Sequence, residues 1–242
     1  MRVDGAGAAK RLAGLVGGIG PESTIQYYRF ILAAYRERHP AGGSPTVLID
    51  SIDLERMLAA ITAGDRTAVV DLMVAEVERL ARAGSAFAAL LSNTPHIVFE
   101  DIARRSPIPL VSLVTATREA ATRQGLRTLG LFGTRFTMEA RFYPEAFEKA
   151  GIRIVVPAPD ERAYIHERYM TELVSAVAKD ETRNGLLAIA DRMRERDGVD
   201  GLVLGGTELS MILGDVPGTT VPFLDTTRIH ADAIVDRLLA DA

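Results

Sequence analysis

Short apolar runs alternate with longer amphipathic ones along almost the whole chain, and that alternation limits the fold more than any other feature. Arg11 to Gly18, RLAGLVGG, reads as a buried strand, and PESTIQYYRFILAAYRER as the helix after it. Pro21 suits a first helical turn, with Ser23 and Thr24 as early-turn donors. PTVLIDSID, FAALLSNT and IPLVSLV read as three more strands, separated by helical stretches. The pattern then restarts. LRTLGLFG, IRIVVPAP, VDGLVLGG and VPFLDT read as strands, and TRIHADAIVDRLLADA as a closing helix. ERAYIHERYMTELVSAVAKD is predicted to be one helix. Strand–helix alternation of this kind implies an α/β fold with mostly parallel sheets covered on both faces.

Composition narrows the function classes. The net charge is −4, and no basic run, zinc finger or Walker loop is present, which argues against nucleic acid or an anionic membrane as partner. No apolar stretch reaches the roughly 18 to 20 residues a membrane span needs. Residues 1–11 read as a loose tail without a secretory core, so the expected location is the cytoplasm. Cysteine is absent, which excludes disulfides, thiolate nucleophiles and thiolate metal sites. His39, His96, His166 and His230 form no HxxxH or HxH pair, so no metal site is expected. Lys10, Lys149 and Lys179 lie in a tail or in charged runs, so a pyridoxal Schiff base is not expected either.

Spacing suggests an internal duplication. Ser92 follows Gly18 by 74 residues, and Gly206 follows Gly133 by 73. In each half one strand ends in a Gly-rich turn, and a later strand ends in a small residue followed closely by Thr. Two such lobes facing each other bring four turns to one cleft: Gly17-Gly18-Ile19-Gly20, Ser92-Asn93-Thr94, Gly133-Thr134 with Thr137, and Gly205-Gly206-Thr207. Strand-to-helix turns collect free N–H groups and the positive helix end, so such a cleft suits a small carboxylate. Taken singly, each turn has a steric explanation as well. GGIG lacks the spacing of a dinucleotide fingerprint.

In order and spacing, VGGIGPEST, LSNTPH, LGLFGTRFTME and LGGTEL resemble the four signature turns of the aspartate/glutamate racemase family, from Leu12 onward. The resemblance implies two pseudo-symmetric lobes with the active site between them, lobe 1 from residues 12–113 and 224–242, lobe 2 from 114–223. It also implies a cofactor-independent enzyme, commonly a homodimer, in which one cysteine from each lobe flanks the substrate Cα. Here those two positions carry Ser92 and Gly206. A thiol has a pKa of about 8.5, whereas a hydroxyl is a poor base without an activating group. Two-cysteine racemisation is therefore excluded, and other groups have to move the α-proton.

His96, four residues after Ser92, is one candidate, either as activator or as base, and its alternative role is to orient the turn. Glu208 could reach into the space left at Gly206, or pair locally. With Ser92 these form the expected catalytic set. Gly18, Ser51, Asn93, Thr94, Thr134, Arg135, Thr137, His166, Gly206 and Thr207 form the expected substrate-binding set. Their hydroxyls and amides suit an α-carboxylate, and Arg135 a second carboxylate. Asp53 lies at the same strand end as Ser51, and Asp50 reads equally well as a turn residue. The expected function is an isomerase of amino-acid racemase type, independent of pyridoxal phosphate. It would act on a small amino acid or a dicarboxylate such as aspartate or glutamate. A lyase or decarboxylase on the same cleft, or a non-catalytic carboxylate binder, is the alternative.

Overall fold

The first strand, β1 (Ala13–Gly17), is buried throughout, as an apolar AGLVG run in the middle of a parallel sheet has to be. The computed structural model describes residues 11–214 and 216–240. Of the expected tail 1–11, all but Arg11 lies outside the described residues. The chain divides into two units. The first runs to Leu91 and adds Val98–Val111 and the chain from Ala231 on. The second takes Ser92–Ile97 and Ser112–His230.

In the first unit, β1 is followed by α1 (Pro21–Arg38), β2 (Val47–Ser51), α2 (Leu54–Thr62), α3 (Arg66–Arg82), β3 (Phe87–Leu90), α4 (Phe99–Arg105) and β4 (Leu110–Val111). The strands lie parallel in the order β2-β1-β3-β4. Pro21 starts α1, Glu22 sits in its first turn and Arg36 and Arg38 in its last, as the helix dipole favours. Tyr27, Ile31, Ala34 and Tyr35 recur at helical spacing and pack on Ala13, Leu15 and Phe87. Burying Tyr27 or Ile31 completely is worth about 1.5–3 kcal/mol each. At Gly14 a Cβ would stand 2.8 Å from Ser85 Oγ and 3.0 Å from Leu80 Cβ, so α3 packs directly on the backbone of β1.

The second unit holds α5 (Leu113–Arg123), β5 (Thr128–Gly133), α6 (Arg135–Glu139), α7 (Phe142–Glu148), β6 (Arg153–Val155), α8 (Pro159–Thr171), α9 (Asp180–Asp197), β7 (Gly201–Gly205), α10 (Leu209–Leu213) and β8 (Phe223–Asp225). The start of α11 (Thr226–Leu239) also belongs to it. Its sheet is parallel in the order β6-β5-β7-β8. Side chains alternate across it. Leu129, Leu131 and Val203 join Leu113, Tyr143 and Phe147 on one face, while Phe132, Leu202 and Leu204 join Ile165, Tyr169, Leu186 and Met193 on the other. The strand order of the first sheet is thus repeated in the second. In each, the chain runs outward from the first strand and then crosses to its other side, so the C-terminal ends of β1 and β3, and of β5 and β7, mark the reversal point where ligands collect.

The structure differs from the sequence expectations in four places. β8 pairs with β7, so the boundary expected at residue 224 cuts a strand of the second sheet, and the chain stays with that unit to His230. The strand expected over residues 108–114 is only Leu110–Val111, because the Ser112 side chain accepts the Thr115 N–H and opens α5. α8 stops at Thr171 rather than near Asp180. The buried Glu172 carboxylate accepts from Thr182, Lys179 and Arg168, which folds the chain into the short 3-10 turn Leu173–Ser175. Lastly, the helix that HIVFEDIARR suggests from His96 to Arg105 begins only at Phe99, after a 3-10 turn over Thr94–Val98.

Candidate active site

Two glycines at the first unit's reversal point have distinct reasons to be glycine. Gly18 has φ +83°, and a Cβ there would meet the Ile52 backbone oxygen at 2.3 Å. Gly17 has no room because Thr24 Cγ2 would be 2.6 Å away. The Gly18 N–H donates to Thr24 Oγ1 at 2.9 Å, so the amide expected to stand free for an anion is engaged inside its own turn. Ser51 ends β2, and its hydroxyl lies beside Gly18. Asp53 caps α2 by accepting the Glu55 N–H, and Asp50 pairs with Arg79 at 2.8 Å, so both carboxylates have local structural partners.

In the second unit the Ser92–His96 turn is held by a chain of polar contacts. Tyr143 Oη donates to Asn93 Oδ1 at 2.6 Å, Asn93 Nδ2 donates to Thr226 Oγ1 at 3.3 Å, and Thr226 Oγ1 donates to the Leu204 carbonyl at 2.7 Å. Leu204 lies two residues before Gly206, so this chain ties the Ser92 turn to the end of β7. Burial drives the Tyr143 hydroxyl far above its ordinary pKa, which keeps it a neutral donor. Asn93 was expected to donate to substrate, yet its oxygen and one N–H are occupied within this chain.

His96 is buried and bridges two backbone groups. Its Nε2 accepts the Leu113 N–H at 3.1 Å, and its Nδ1 lies 2.9 Å from the Ser92 carbonyl. An acceptor Nε2 requires the proton on Nδ1, so the ring is neutral in a fixed tautomer. Desolvation, aided by the neighbouring His230, lowers its pKa to about 3. The imidazole bonds the carbonyl of Ser92 and not its hydroxyl, and both nitrogens are engaged. His96 therefore orients the turn and is not placed to activate Ser92 or to take a substrate proton.

The space at Gly206 is filled. Gly206 has no positive φ, so its backbone does not demand glycine. A Cβ there would meet Tyr169 Cε2 at 2.5 Å and Tyr169 Oη at 2.7 Å. The ring of Tyr169, from α8, occupies the volume that Glu208 could have reached, and Glu208 pairs locally, the other role its position allowed. Tyr169 Oη donates to Glu208 Oε2 in a short hydrogen bond, and Thr207 Oγ1 donates to the same oxygen at 2.7 Å. Thr207 was expected to donate to substrate and instead donates to Glu208. Burial and the Glu208 charge raise the Tyr169 pKa well above its usual value, while the Glu208 backbone amide and the Thr207 hydroxyl pull it the other way.

Around the end of β5, Thr134 caps α6 by accepting the Thr137 N–H, and the two hydroxyls lie 3.3 Å apart. The Arg135 N–H donates to His166 Nδ1 at 3.3 Å, which joins α6 to α8 and leaves the Arg135 side chain exposed. Desolvation and the Arg135 charge lower the His166 pKa. Thr94 is half-buried at the start of the 3-10 turn. The structure thus brings Asn93, His96, Thr207 and Glu208 into networks around the ends of β3 and β7, and Thr134, Arg135, Thr137 and His166 into one around the end of β5. Tyr169, Tyr143 and Thr226 were not singled out from sequence. No local motif marks them, because each acts through a partner more than thirty residues away. Among the described residues, no group of three or more His, Asp or Glu side chains could hold a metal ion, and no helix is long and apolar enough to cross a membrane.

The family model for Asp/Glu/hydantoin racemases matches residues 16–234, nearly the whole chain. The chain belongs to the Asp/Glu/hydantoin racemase family. Its solved relatives include a candidate Asp/Glu racemase from Yersinia pestis, 30% identical, with a TM-score of 0.87 over 95% of this chain and 99% of that one. An aspartate racemase homologue from Pyrococcus horikoshii OT3 is also 30% identical, with a TM-score of 0.82 over the same shares. The broad specificity amino-acid racemase RacX of Bacillus subtilis (strain 168) is 20% identical over 95% of this chain and 99% of its own. Fold and relatives together support an amino-acid racemase. The chain itself contains no cysteine, so it has no thiol with which to move a proton.

Proposed function

We propose that this protein is a cofactor-independent amino-acid racemase that moves the α-proton with oxygen groups, on a small amino acid or a dicarboxylate such as aspartate or glutamate. The observation that carries this reading is the set of oxygens gathered at Gly206. Where the family resemblance implies a thiol, the chain has a bare Cα faced by the Tyr169 phenol, which donates to the Glu208 carboxylate together with the Thr207 hydroxyl. A carboxylate held beside the reacting centre is a competent general base, and acid–base assistance of this kind is worth about 100- to 10,000-fold. Glu208 is the base on this reading. Ser92, at the other implied thiol position, presents a hydroxyl as proton donor. His96 fixes the Ser92 carbonyl and keeps that turn in place. Thr94 and Thr134 contact the α-carboxylate, and Arg135 supplies charge for a second one.

The test is α-proton exchange. Purified protein is incubated with L- and D-aspartate and with L- and D-glutamate in D2O. The Cα signal is followed by NMR, with chiral separation of the same samples. Exchange with inversion is the expected result. No exchange with these four or with a wider panel of amino acids would remove the racemase reading.

A further inference from the structure

We propose that Tyr169 is a catalytic residue, whose phenol stands at the substrate face left bare by Gly206 and passes protons between the substrate Cα and Glu208. The inference rests on the racemase reading and adds to it the atom that meets the substrate. Three observations carry it. First, a Cβ on Gly206 would lie 2.5–3.0 Å from Tyr169 Cε2, Oη and Cζ, so the outer end of the ring takes the place that any side chain at 206 would fill. Second, the phenol that fills this volume donates directly to Glu208 Oε2, so a proton on Oη has a carboxylate acceptor in contact. Third, Thr207 donates to the same Oε2, which fixes the carboxylate oxygen relative to the ring. Tyr169 is 6% exposed, and its aromatic body packs in the core of the second unit while the hydroxyl end remains at the turn.

The proton step balances without a cofactor. The substrate Cα–H bond breaks, and its proton bonds to Tyr169 Oη as that oxygen releases its own proton to Glu208 Oε2. The electron pair stays on the substrate as the enolate. On the opposite face a hydroxyl donates a proton to Cα. The proton gained by Glu208 leaves to solvent, and the one lost on the opposite face is regained from solvent. In the reverse direction a protonated Glu208 gives its proton to Oη as Oη gives one to Cα. The phenol never has to persist as a buried phenolate, since it loses and gains a proton in one motion. That is the advantage of a carboxylate behind it.

Tyr169→Phe keeps the ring and its packing but removes the hydroxyl. Racemisation and α-proton exchange are measured for wild type, Tyr169→Phe, Glu208→Gln and the double variant, each with its thermal midpoint. The expected result is a loss in kcat of about 100-fold or more in each single variant with KM little changed. The double variant is expected to be no slower than the worse single one, because the two groups act as one unit. A Tyr169→Phe protein within a few-fold of an active wild type would overturn the relay and leave the racemase reading standing. Losses that multiply in the double variant would overturn it as well. A wild type inert toward every amino acid would instead remove the racemase reading, and the relay with it.

Discussion

At Gly206 and His96, single residues have measurable consequences. Gly206→Ala puts a methyl group into the Tyr169 ring, and overpacking of this kind costs about 1–3 kcal/mol. In a Tyr169→Leu background the same substitution should cost less, and a double-mutant cycle by urea unfolding should return a coupling of about 1 kcal/mol or more. Additive costs would mean that the ring does not occupy the space. His96 is neutral in the fold with its pKa lowered to about 3, against about 6.5 when unfolded. Between those values the unfolded chain binds a proton that the folded chain does not. Stability therefore falls as pH drops from 6.5 toward 3, by roughly 1 kcal/mol per pH unit from this one group. Above pH 6.5 the group contributes no slope. His96→Gln, which does not ionise, should be less stable at neutral pH yet show a shallower loss on acidification, read as unfolding midpoints at pH 7, 6, 5 and 4.

Elements meet through a few polar bonds, and those bonds are where the turn geometry is kept. Tyr143→Phe leaves the buried Asn93 Oδ1 without its donor and should cost about 1–3 kcal/mol. If the chain from Tyr143 through Asn93 and Thr226 to Leu204 holds the Ser92 turn, kcat should fall together with stability, and unchanged kcat would separate the two. Asp225, at the end of β8, accepts from Ser210 Oγ, Thr227 N and Arg228 N with a single oxygen and so caps α11. Asp225→Ala should cost about 1 kcal/mol or more by chemical denaturation. Elements were legible in the sequence where period and caps agreed: the fully buried β1 and β7, β5 with only Thr128 partly exposed, and the long helices α1 and α3. They were illegible where one side chain redirected the backbone. Ser112 turned an apolar run into a helix start, and Glu172 ended α8 early by gathering partners from further along the chain.

For the whole molecule, mostly parallel sheets flanked by helices were legible from the repeated alternation of apolar and amphipathic runs, whereas the strand order that the two sheets share was not. The site was legible as positions and not as roles. Asn93, Thr207 and His96 could be named from their turns. That their polar atoms would be engaged by Thr226, Glu208 and Leu113 depends on contacts spanning up to 133 residues. Because the chain contains no cysteine, racemase activity should survive iodoacetamide at concentrations that silence a thiol-dependent racemase. It should equally survive removal of pyridoxal phosphate by hydroxylamine and dialysis. Loss of activity under either treatment would contradict an oxygen-based, cofactor-free centre.

The fit between the bare Cα at 206 and the ring at 169 also sets the terms for redesign. A Cβ at 206 would meet Tyr169 Cε2 at 2.5 Å, so a side chain returned to that position has to displace the ring. Installing a thiol there is therefore a change of two residues made together, with a smaller side chain at 169 making the room.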